Sequence, residues 1–197
     1  MNYFMLGKFV DAVLKLRKYI AIGSTIASSS LFIYYIGRAL MGLDPLYPFG
    51  ENMVSIEIVF IPNILFMKPI TIAVILGYLA VLTTLSHIST YVVENWGERE
   101  FFVLEIFTGV LMFVAGYEIL FNFTLWSAMI ASITTSGIVN GNIDLLYNVF
   151  PNPDTPWNIV FATKIFYLIF LSSATSFYYI NRWKLLKREI EGDKQQK

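Results

Sequence analysis

The sequence predicts an all-α integral membrane protein, a four-transmembrane-helix bundle with amphipathic interfacial helices at its N-terminus and on its outer face. Three observations predict it. Apolar stretches of about twenty residues occupy 19–41, 69–93, 101–123 and 157–179, each long enough to cross a hydrocarbon core of roughly 30 Å as a helix. Of 197 residues, 56% are hydrophobic, 17% aromatic and only 14% charged, where a soluble domain carries about a quarter charged residues. The charges are also unevenly placed. Lys8, Lys15, Arg17 and Lys18 precede the first span, and Arg182, Lys184, Lys187, Arg188, Lys194 and Lys197 follow the last. The stretches 42–55 and 140–156 contain no Lys or Arg, only Asp44, Glu51, Asp144 and Asp154. The positive-inside rule then puts both termini in the cytoplasm of a multi-pass cell-membrane protein.

Residues 1–18 read as an amphipathic helix on the cytoplasmic surface, with Lys8, Asp11, Lys15 and Lys18 on one face and Phe4, Phe9, Val13 and Leu16 largely opposite. The first span, 19–41, is rich in small and hydroxyl residues, with Gly23 and Ala27, and Ser24 and Ser28, four apart. Small residues at that spacing let helices approach closely in a membrane. The fourth span has a matching cluster at 172–176, so packing of span one on span four, or of either on another subunit, is the expectation. A polar solute path is the competing reading.

Residues 55–67 are apolar but too short to span, and Pro62 interrupts a helix there. This stretch is predicted as re-entrant or interfacial, with a distorted fifth crossing as the alternative. Pro69 suits the first turn of the second span, 69–93. The third apolar run outlasts one crossing. Residues 101–123 are assigned to the span, and residues 125–136, where Leu125, Trp126, Met129, Ile130 and Ile133 recur at helical spacing, to an interfacial helix on the outer leaflet. Tyr47, Trp126, Tyr147 and Trp157 fall near the outer interface, and Tyr19, Tyr91, Trp96, Tyr179 and Trp183 near the inner one. After the fourth span, 157–179, residues 180–197 read as a basic cytoplasmic tail whose end is solvated.

Ionisable residues at bilayer depth are functional hypotheses by default. Here they are Arg38, Glu57, Lys68, His87, Glu105, Glu118 and Lys164. Arg38 and Lys68 lie near span ends and can snorkel to water. The short link 94–100 brings the depths of His87 and Glu105 together, suggesting a first pair, either a helix-pinning hydrogen bond or a proton or quinone-headgroup site. Glu118 and Lys164, at similar depth in spans three and four, suggest a second. Glu105 and Glu118 are thirteen residues apart and so face nearly opposite ways, which favours a contact with another subunit.

With no cysteine and one histidine, the chain supplies neither a thiolate site, a bis-histidine haem nor a histidine-rich metal site by itself. No phosphate-cradling loop, hydrolase elbow or basic nucleic-acid groove appears. No cofactor of its own is expected, with a quinone contact left open. One histidine and two glutamines mildly suggest a heat-adapted source. The leading expectation is a non-catalytic subunit of a multi-subunit membrane complex, with respiratory electron transfer as a candidate setting and other membrane subunits and the bilayer as partners. A small proton-coupled or solute transporter using the buried Glu, His and Lys is the alternative. A quinone-interacting subunit is the third.

Overall fold

A computed structural model describes residues 3–43, 50–61, 65–136 and 159–195, with side chains described over 15–43, 50–61, 66–128 and 159–192. The elements run α1 (Tyr3–Leu40), α2 (Glu51–Ser55), β1 (Ile58–Ile61), β2 (Leu65–Met67), α3 (Pro69–Asn95), α4 (Glu98–Ser136) and α5 (Ile159–Gln195). Four helical segments are long and apolar enough to cross a membrane: Lys15–Leu40, Pro69–Asn95, Glu98–Ala128 and Ile159–Gly192. Their outer faces are apolar, with Ile33, Phe113 and Leu120 each at least 70% exposed. Such faces suit lipid rather than water. The chain is thus a multi-pass helical membrane protein.

The helix ends follow local chemistry. At the end of α1, Gly42 takes φ +66°. The Gly42 N–H donates to Ala39 O at 3.1 Å and the Leu43 N–H to Arg38 O at 3.0 Å, the paired bonds that close a helix on a left-handed glycine. Pro69 opens α3, as its missing N–H predicts. At the start of α4, the Gly97 N–H donates to Glu100 Oε2 at 2.9 Å. This is the back-reaching half of a capping box, and Glu98 and Glu100 both sit in the first turn, where carboxylates suit the helix dipole.

Contact clustering divides the chain into two compact units. The first comprises the described residues within Met1–Ala27, Ile75–Phe113 and Leu168–Lys197. Its core joins Val92 of α3, Phe101 of α4 and Ile180 and Trp183 of α5, all nearly inaccessible, with Leu85, Ile88 and Leu104 packed around them. The second comprises those within Ser28–Val74 and Val114–Tyr167. Its core gathers Tyr35 of α1, Met53 of α2, Ile70 and Ala73 of α3 and Phe161 of α5. Asn52 Nδ2 donates to Tyr35 O at 2.9 Å in that interior, and the Ser28 hydroxyl to Ala73 O at 2.8 Å.

Several expectations change. The stretch 55–67, expected to be re-entrant or interfacial, contains strands too short for the alternative of a fifth crossing. They pair as an antiparallel hairpin, Ile58 opposite Met67 and Val59 opposite Phe66, with its register shifted between Val59 and Ile61. Four- and three-residue strands span only about 10–14 Å. Pro62, expected to interrupt a helix, and Asn63 lie outside the described residues. No break separates 125–136 from the third span, nor 1–18 from the first within the described residues, since α4 and α1 run through both junctions without interruption. The terminal tail is helical to Gln195, because neither Gly nor Pro interrupts 180–191. The Ser24 and Ser28 face of α1 is buried, but Gly23 has open space where a side chain would be. Two polar contacts of α1, Arg17 with Ser86 and Ser28 with the Ala73 carbonyl, reach α3. The amphipathic faces within 1–14, the outer aromatics Tyr47, Tyr147 and Trp157, and the acidic outer residues Asp44, Asp144 and Asp154 lie outside the described residues or side chains.

Candidate functional site

Several hydroxyl groups inside the spans are satisfied within their own helix. Ser24, Thr25, Thr83, Thr108, Thr163, Ser173 and Ser176 each donate to a carbonyl one turn earlier in their own helix, the usual way for Ser and Thr to meet their hydrogen-bonding needs in a helix interior. In the α5 cluster Ser172 is the exception, its buried hydroxyl having no partner among the described residues.

In the first unit the longer polar side chains stitch helix to helix. Lys184 of α5 places Nζ 3.0 Å from Glu105 Oε2 of α4. One residue earlier, Trp183 Nε1 donates to Ser89 Oγ of α3 at 2.7 Å. One turn later, Lys187 donates to the Trp96 carbonyl and Arg188 meets Glu98 at 3.0 Å. Tyr78 of α3 bonds Thr175 of α5 at 2.9 Å, and Arg17 of α1 bonds Ser86 of α3 at 2.7 Å. Lys184 and Glu105 keep 25% and 26% side-chain exposure. The pair is thus shielded from solvent without being sealed, and each charge spares the other the cost of desolvation alone.

The predicted partner of Glu105 is absent from this arrangement. His87 is exposed, and no contact joins it to Glu105. The carboxylate turns to Lys184, which the sequence places in the cytoplasmic tail. Continuation of α5 past Tyr179 brings Lys184 alongside Glu105 of α4.

In the second unit, Lys164 Nζ donates to Thr71 Oγ1 of α3 at 2.5 Å. It does not reach Glu118, so the second expected pair is not formed either. Glu118 is half-buried on α4 and has no hydrogen bond or ion pair among the described residues. One turn further, Asn122 is 4% exposed, with Nδ2 lacking an acceptor. At the hairpin base Lys68 meets Glu57 at 2.9 Å and the Ser55 carbonyl at 3.2 Å. Arg38 lies 5.7 Å over the Tyr34 ring, a cation–π contact.

Among the described residues no three His, Asp or Glu side chains come together as metal ligands. A cavity of about 370 Å³ in the first unit is lined by Val81, Phe107, Leu111, Ile169, Ser172 and neighbours, with no ionisable side chain in its wall. Comparison with protein families, curated proteins and solved structures finds no match to this chain.

Proposed function

We propose that the chain is a non-catalytic subunit of a multi-subunit membrane complex, with both termini cytoplasmic. The Glu105–Lys184 contact supports this reading most directly. A carboxylate used for proton transfer or to hold a quinone headgroup needs a free acceptor oxygen and a path to it. Here one oxygen, Oε2, is engaged by an ammonium, and the pair is flanked by the Trp183–Ser89 and Arg188–Glu98 contacts, an arrangement suited to fixing three helices. Without a His87–Glu105 contact, a quinone site at that pair loses its geometric basis. Respiratory electron transfer remains the candidate setting.

The test is purification of the tagged chain from its native membrane in mild detergent, with mass spectrometry and a visible absorption spectrum. Stoichiometric foreign subunits with haem or copper absorbance are expected. A colourless preparation free of foreign chains contradicts the proposal. Glu118 favours the second reading, a small transporter, because an unpaired intramembrane carboxylate is the usual mark of a proton or ion path. That reading requires proton or solute flux in liposomes holding the chain alone, abolished by Glu118→Gln.

A further inference from the structure

We infer that Glu118 of one protomer pairs with Lys164 of a second copy of this chain, the contact repeated about a twofold axis, so that two intramembrane ion pairs hold a homodimer. This goes beyond membership of a larger complex and stands on separate observations. Glu118 lies within the membrane-spanning part of α4, where an ionised side chain without a partner is costly. It has none among the described residues, although it is half-buried and within reach from outside. Its helical neighbours at i−4, i−1 and i+3 are Val114, Tyr117 and Phe121, all exposed. The Tyr117 and Phe121 rings stack at 6.2 Å. An apolar ridge with a carboxylate on its rim suits a docked helix better than lipid. Asn122, buried behind Glu118 at i+4, has a free amide donor at the spacing that allows it to hold one carboxylate oxygen, leaving the other for a cation.

Lys164 is the complementary group. Its acceptor is a neutral hydroxyl, Thr71 Oγ1, and the neighbouring Lys68, itself matched to Glu57, only repels it. No carboxylate among the described residues balances its charge. Both groups also lie in the outer halves of their spans. Counted from the outer span ends Ala128 and Ile159, Glu118 is ten residues in and Lys164 five, about 15 and 8 Å at 1.5 Å per residue, a difference that the two long side chains can bridge. A twofold axis along the membrane normal preserves depth. Among the described residues of the second unit, Glu118 is an unmatched anion and Lys164 an unmatched cation, and the two do not meet within the chain. A second copy satisfies both at once through a self-complementary, closed interface. A foreign helix bringing a cation to Glu118 leaves Lys164 unbalanced.

The chain has no cysteine, so the test needs no background removal. Two differently tagged full-length chains, one Glu118→Cys and one Lys164→Cys, are co-expressed and treated in the membrane with a short bifunctional maleimide. The expected product is a dimer carrying both tags, in large excess over dimer formed by either variant alone. In wild-type protein, native mass spectrometry in mild detergent gives two copies, and Glu118→Gln raises the dimer's dissociation constant by about thirtyfold or more. A single copy in the wild-type preparation overturns the inference, even if the cysteine variants fail to fold. So does absence of the mixed-tag product from folded variants, or closure of a Glu118→Cys/Lys164→Cys chain on itself at monomer mass. Foreign subunits recovered with a single copy overturn the dimer while leaving the complex-subunit proposal standing.

Discussion

Gly50 sits where two demands coincide. Its φ is +85°, a region that side chains strain to adopt. A Cβ built there also lies 2.5 Å from Phe161 Cγ, in the core of the second unit. Gly50→Ala is expected to cost about 2–4 kcal/mol from strain and overpacking together, read as a lower unfolding temperature in detergent. Gly23→Ala, facing open space mid-helix, is the control and is expected to be neutral or slightly stabilising. At this scale the sequence identifies which residues are unusual but not whom they meet. Glu105, Glu118, His87 and Lys164 stand out because ionisable groups are rare in apolar runs. Pairing them by depth alone assigned Glu105 to the wrong partner. Depth fixes one coordinate of a side chain, whereas helix rotation and length, which the apolar pattern leaves loose, fix the others.

Helix length accounts for the element-scale differences. All four spans were legible because twenty apolar residues in a row have few alternatives. Their ends were not. Hydropathy falls at Tyr179, yet α5 continues because nothing stops it before Gly192, and Lys184, Lys187 and Arg188 become part of the packed helix. Deleting residues 180–197 therefore removes the Trp183–Ser89 and Lys184–Glu105 contacts and the buried Trp183 ring. The truncated chain is expected to lose roughly 3–5 kcal/mol for the tryptophan alone and to elute as aggregate on size exclusion. A solvated tail predicts an unchanged elution profile. The hairpin was missed for a related reason. Its strands, Ile58–Ile61 and Leu65–Met67, are apolar on both faces and lack the alternation that marks a half-buried strand, leaving Pro62 and Asn63 as the only signal.

At the scale of the whole molecule, the absence of cysteine makes orientation directly measurable. A single cysteine at Leu43 is expected to react with an impermeant maleimide from outside intact cells, and one at Gly192 only after the membrane is opened. The reverse pattern inverts the assignment drawn from the placement of Lys and Arg. The central claim is that the polar groups within the spans hold helices together and do no chemistry. It is tested most directly by turnover per cofactor in complexes purified with Glu105→Leu, Lys184→Met and the double variant. Each single change strands a charge, at about 1–3 kcal/mol for a pair with this residual exposure. The account predicts reduced complex yield, recovery of yield in the double variant, and unchanged turnover per cofactor in every complex that assembles. Full assembly with turnover lost in Glu105→Leu would place that carboxylate in the reaction and contradict it.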